Sequence, residues 1–127
     1  MPTGPYIAQT QLTCSGDSGP REVWVRIEQP ALEPKSEGET EDCWRCSYQL
    51  EGLLAASGDG AIFESMAYGQ DSVQALMLAL VAIGAALAAV PEPLRSTLRL
   101  QGSRHLGFPV PSKSQPAVFE ILLRWPE

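Results

Sequence analysis

The chain has one histidine and three cysteines in 127 residues. The lone histidine, His105, has no carboxylate in its sequence neighbourhood, so no acid/base pair can be read around it. Cys14, Cys43 and Cys46 are an odd number, and Met1 to Leu12 carries neither a basic leader nor an apolar stretch of signal-peptide length. The expectation is free thiols in a reducing cytosol. Basic residues are also few: nine Lys and Arg stand against fifteen Asp and Glu, for a net charge of -6. Such a surface repels a phosphate backbone, which argues against nucleic acid as a direct partner. No apolar run reaches the about twenty residues of a spanning helix. The longest, Ala75 to Val90, is rich in alanine and bounded by Asp71 and Pro91-Glu92, so it is expected to be buried in protein.

What the chain does have is 44% hydrophobic residues in the length of one domain. A domain of this size buries roughly two-thirds of its unfolded surface, enough for a core without disulfides or metal. The charge is uneven: residues 1–72 carry twelve acids and four bases, net -8, and residues 91–127 three acids and five bases, net +2. An acidic first half speeds encounter with a basic partner.

Tyr6 to Thr13 alternates loosely and runs into the turn formers of Cys14-Ser-Gly-Asp-Ser-Gly-Pro20. Glu22 to Glu28 has strict period two, with Val23, Val25 and Ile27 on one face and Glu22, Trp24, Arg26 and Glu28 on the other. A mobile acidic hairpin loop is expected over residues 30–42, from Pro30 through Glu33 and Pro34 to Glu37, Glu39, Glu41 and Asp42. Trp44, Cys46, Tyr48 and Leu50 share one face of a third strand. Gly58-Asp-Gly60 supplies a turn before a fourth strand, Ala61 to Tyr68, making an antiparallel meander.

Asp71 is a helix N-cap with Gln74 three residues later, as in a capping box, and Pro91 ends the segment, which predicts a helix over 72–90. Val73, Leu76, Leu80, Ile83, Leu87 and Val90 recur at steps of three and four and are expected on the sheet. The small side, Ala82, Ala85, Ala86 and Ala89, is then expected against another helix or a second copy of the chain. Further strands are expected over Thr97 to Gln101 and over 119–125, the latter with a short helix as the alternative, separated by a loop over 102–115.

Most chemical motifs dissolve on inspection. Gly16-Asp-Ser-Gly-Pro20 resembles the nucleophile box of trypsin-like serine proteases, but it lacks one glycine, and the chain is far too short for the double barrel that assembles the triad. Cys43-x-x-Cys46 lies at an alternating strand, where the two thiols project to opposite faces. No helix follows to lower a thiolate pKa, and no second ligand pair exists for zinc. The glycine-rich pieces lack phosphate-loop spacing, and the loop acids lack that of a calcium loop. Neither cofactor nor metal is expected, and no catalytic residue. Trp24 and Arg26, by contrast, are residue types enriched in binding hot spots. They either face a partner beside the acidic loop or pack under the C-terminal strand.

Trp44-x-Cys46-x-Tyr48-x-Leu50-x-Gly52, then Tyr68-Gly-Gln-Asp71-Ser72-x-Gln74-Ala75-Leu76-x-Leu78-Ala79-Leu80, and Leu106-Gly-Phe-Pro109 together resemble a family of small, uncharacterised bacterial α+β proteins. Some similar small acidic chains serve as immunity proteins of toxin and immunity pairs. The resemblance implies a fold more firmly than a function, since the Gly69 to Leu76 element is a glycine turn, a cap and a buried helix.

The sequence thus predicts a single α+β domain over 1–127, an antiparallel sheet of about five or six strands with one long apolar helix on one face. The expected function is that of a non-catalytic cytoplasmic protein that binds a basic protein partner, as an immunity protein binds a toxin, through Trp24, Arg26, Glu33, Glu37, Glu39, Glu41 and Asp42. The alternatives are a small-ligand-binding protein or enzyme, with a pocket between helix and sheet and Arg99, Arg104 or His105 at its mouth, and a homodimeric structural domain.

Overall fold

The computed structural model describes residues 6–16, 19–35, 37–53, 62–90, 94–103, 106–111 and 119–120. The Gly58-Asp-Gly60 turn, Asp17 and Ser18 of the serine box, Pro91, Arg104, His105 and 121–125 of the expected last strand lie outside the described residues. Strands β1 (Tyr6–Gly16) and β2 (Gly19–Glu28) form a long antiparallel ribbon in register from Gly16 opposite Gly19 to Tyr6 opposite Glu28, with an irregularity between Tyr6 and Ala8. β2 pairs through Trp24–Ile27 with β4 (Trp44–Glu51), and β4 pairs along its whole length with β5 (Ile62–Gly69).

The stretch expected to be loop contains a short strand, β3 (Ala31–Leu32), which rejoins β4 opposite Arg45 and Trp44. Pro30 explains the break: it has no N–H to give to a ladder, so pairing lapses at Gln29-Pro30 and resumes beyond it. β2 and β3 therefore lie on the same side of β4, with β5 on the other, in a five-stranded antiparallel sheet.

The alternation read from the sequence sets the faces. Leu12 and Cys14 of β1, Val23, Val25 and Ile27 of β2, and Cys46, Tyr48 and Leu50 of β4 are all buried in one core. Helix α1 (Ser72–Ala88) lies across this face, against β4 and β5. Asp71 caps it by accepting from the Gln74 N–H at 2.7 Å. The Gln74 side chain turns back to the N–H of Gln70 at 2.6 Å, one residue before the cap, so the box is closed one step wider than the usual reciprocal form. Gly69 brings the helix close: a Cβ there would stand 2.5 Å from the Ala75 nitrogen.

That close approach corrects the predicted helix face. The buried line is Ala75, Ala79, Ile83, Leu87 and Val90. Leu76 and Leu80 flank it half-buried, and Val73 is 64% exposed. Where the backbones nearly touch only alanine fits, so in the first two turns Ala75 and Ala79 point inward, Leu76 packs beside them, and Val73, Met77 and Leu78 are left exposed. Ala82 and Ala86, expected on an outer contact, pack against the chain's own core, while Ala85 and Ala89 are exposed.

The helix ends at Ala88 rather than Val90. A short helix, α2 (Leu94–Thr97), takes the first residue of the strand expected over 97–101, and the rest is reduced to buried Leu98 and isolated bridges at Arg99 and Leu100. Arg99 then exchanges backbone hydrogen bonds of 2.9 and 2.8 Å with Thr13 on the outer edge of β1. Positive φ at Gln101 and Gly102 turns the chain straight back, with Leu100 and Ser103 bonded to each other, before a strand can lengthen. β6 (Val110–Pro111), inside the expected loop, pairs with β7 (Phe119–Glu120).

The three cysteines are free, with Cys14 and Cys46 buried and Cys43 half-buried just before β4. Burial pushes the Cys14 and Cys46 thiols above their usual range. A thiol whose pKa is raised on folding stabilises the fold below the unfolded-state value of about 8.5, and this contribution is lost as pH climbs through that value toward the folded one. The unfolding free energy should therefore fall above about pH 8.5, by up to about 1.4 kcal/mol per pH unit for each thiol, and the denaturant midpoint with it. Substituting both cysteines by alanine should flatten that limb. In the native protein at pH 8, a disulfide reagent should modify Cys43 promptly and reach the other two only in denaturant.

Candidate functional site

The face of the sheet away from α1 carries a polar network. Arg26 donates to Glu51 at 2.6 Å in an ion pair whose side chains are 16% and 30% exposed, and its guanidinium lies 5.2 Å from the centre of the Trp24 ring. Gln49, buried in mid-sheet, donates to Glu64 at 2.8 Å and accepts from the Tyr6 hydroxyl at 3.2 Å. Burial raises the Tyr6 phenol pKa, against the opposing pull of Arg26, and the nearby acids, Glu28 first, add to the rise. These groups answer one another across four strands, and a buried polar residue such as Gln49 needs those partners to be tolerated.

The acidic loop sits elsewhere. Trp24 stands opposite Glu51 and Arg26 opposite Gln49, at the far end of β4, whereas the loop enters β4 at Trp44. Seven steps along the strand separate Trp44 from Glu51, about 23 Å at the ordinary rise. Trp24 and Arg26 are therefore not beside the loop, as the sequence led one to expect, because Pro30 and β3 carry the chain to the other end of β4 before the loop begins.

Within the loop, Glu33 pairs with Arg45 at 2.9 Å and Asp42 with Lys35 at 3.1 Å. The Glu33 N–H also donates to the Cys43 carbonyl at 2.8 Å, closing the base of the loop. Glu37, Glu39 and Glu41 are exposed. Among the described residues no three His, Cys, Asp or Glu come together as a metal site.

The loop borders an open cleft of about 600 Å³ whose other wall is Tyr68, Gly69, Gln70 and Gln74, at the junction of β5 and α1. That junction carries the part of the site that sequence reasoning missed. Of the exposed large apolar side chains, Phe63, Met66 and Tyr68 lie on β5, and Val73, Met77 and Leu78 on α1. Among the described residues β5 pairs only with β4, so its outer edge has no ladder partner. The signal was present in the sequence as a helix with no polar side and a strand with Met66 and Tyr68 on its outer alternation. A second, apolar pocket lies at the other end of α1, lined in part by Arg95, Arg99 and Phe108. Arg99 is the one residue of the expected pocket mouth that falls among the described residues.

No helix among the described residues is long and apolar enough to cross a membrane. No curated protein and no solved structure matches the chain. Residues 8–110, from β1 through the first residue of β6, match the model of a domain of unknown function, DUF6968, and the chain belongs to that family.

Proposed function

We propose that this chain is a non-catalytic cytoplasmic protein-binding protein, acting as an immunity protein that neutralises a basic toxin by covering it. The observation that carries the reading is the set of exposed apolar side chains on β5 and α1, of which Tyr68 faces Glu39, Glu41 and Asp42 across a cleft. A sheet edge that has no ladder partner among the described residues and carries large apolar side chains is a liability for a chain that stays alone, and a binding surface for one that does not. An apolar centre beside a charged rim is the anatomy of a specific interface, in which the rim sets encounter rate and the centre sets residence time. Glu37, Glu39 and Glu41 supply the rim, with Met66 and Tyr68 as apolar contacts on the outer face of the edge strand and Val73 and Met77 as those on α1. Glu33 and Asp42 hold the loop in shape through Arg45 and Lys35. Trp24 and Arg26 lie too far along β4 to belong to the same patch and brace the sheet instead.

The test uses the tagged chain from its native host, washed at low and at moderate salt. A basic protein should be retained in stoichiometric amount at low salt and should arrest growth when expressed alone but not when co-expressed with this chain. Replacing Glu37, Glu39 and Glu41 by Ser should slow association about tenfold and flatten its salt dependence. Met77→Ser should leave the encounter rate alone and speed dissociation. Retention of no basic partner at either salt, or a partner harmless by itself, overturns the proposal.

A further inference from the structure

The pocket at the far end of α1 is separate from the proposed protein-binding surface. Its walls include Leu87 of α1, Leu98, Leu106 and Phe108, with Arg95 and Arg99 on its lining, and it encloses about 390 Å³. Small-molecule sites span roughly 300–1,000 Å³ and are mostly apolar, with a few convergent polar groups.

Arg99 distinguishes this pocket from a packing defect. Arg26 and Arg45 each meet a carboxylate, at 2.6 and 2.9 Å. The half-buried Arg99 instead donates through one nitrogen, Nη1, to the main-chain carbonyls of Ser96 and Leu98, both at 2.8 Å. Among the described residues it has no ion pair. A guanidinium held beside apolar walls with only neutral acceptors loses hydration without recovering it from an opposite charge. An anion entering the pocket supplies that charge, and it meets a planar donor group already fixed at one nitrogen.

The rest of the lining narrows the ligand. Arg95 sits near the C-terminal end of α1, donating to the Ala88 carbonyl at 3.4 Å, and that end of a helix carries partial negative charge. The helix end offsets part of the Arg95 charge, so a single negative head sits on the Arg99 side with an apolar body against Leu87, Leu98, Leu106 and Phe108. We infer that this pocket binds a small organic monoanion of that form, a medium-chain carboxylate, with its head on Arg99.

Calorimetric titration of the full chain with octanoate tests this, with octan-1-ol and acetate as comparators. Octanoate should bind one-to-one and raise the melting temperature, while the alcohol lacks the head and acetate the body, so each should bind at least about tenfold more weakly. Arg99→Gln should weaken octanoate about tenfold and leave octan-1-ol unchanged. Ala88→Phe, at an exposed position on the pocket lining, should preserve the fold and abolish octanoate binding by filling the space. Equal affinity for octanoate and octan-1-ol, full binding to the Ala88→Phe protein, or no heat and no thermal shift up to about 10 mM octanoate would each overturn the inference.

Discussion

Gly84→Ala should destabilise the protein by about 1–3 kcal/mol, although the same change in an exposed helix interior should stabilise it by about 1 kcal/mol. Gly84 lies about one turn before the end of α1 and is buried. A Cβ built on it would run into the main-chain oxygen of Pro109 and come within 3.2 Å of the Phe108 Cβ. The segment leading to β6 crosses α1 at that point, and backbone cannot swing aside as the tip of a side chain can. The expected result is a lower urea midpoint with an unchanged slope, and weakened octanoate binding as well, since Gly84 and Phe108 both line the apolar pocket. Ala85→Gly, one residue on and exposed, is the control: it should cost about 1 kcal/mol through propensity alone and leave the pocket intact. A stabilised Gly84→Ala protein would mean that Phe108 and Pro109 do not cross the helix there.

Legibility in the sequence followed the strength of the polar contrast. The faces of β2 and β4 were readable because charged or polar residues alternate with Val23, Val25 and Ile27 and with Cys46, Tyr48 and Leu50, and a shift by one residue would bury Arg26 or expose Val25. The start of α1 was readable from Asp71, Gln74 and Gly69, whose roles are local. The orientation of α1 was not, since after Gln74 the helix is apolar all round and size was the only guide. Size misleads where backbones touch, and the contact at Gly69 places Ala75 and Ala79 inward, a long-range fact that no local pattern encodes. The same limit applied to Trp24 and Arg26, whose nearness to the acidic loop in sequence was undone by the pairing of β3 with the opposite end of β4. The acids of the loop were found by charge alone, whereas the exposed apolar side chains on β5 and α1 became visible only once burial had divided inner from outer residues.

The corrected helix face makes the second large prediction. Ile83 is fully buried at the centre of the line that α1 lays on the sheet, and Val73 is 64% exposed, yet composition gives both the look of core residues. Ile83→Ala should cost about 2–5 kcal/mol, combining the lost transfer of its methyl and methylene groups with the cavity left under a helix whose neighbours are already close. Val73→Ala should cost close to nothing, or stabilise by a few tenths of a kcal/mol, because alanine is the better helix former and little apolar surface is uncovered. The two measurements, made by urea unfolding on otherwise identical chains, separate the orientations of α1 cleanly. Had the large residues of the first turn faced the sheet, Val73→Ala would cost more than about 1 kcal/mol. A stable Val73→Ala protein with weakened partner binding would instead assign that residue's apolar surface to association rather than to folding, which is the division of labour that a helix without a polar face requires.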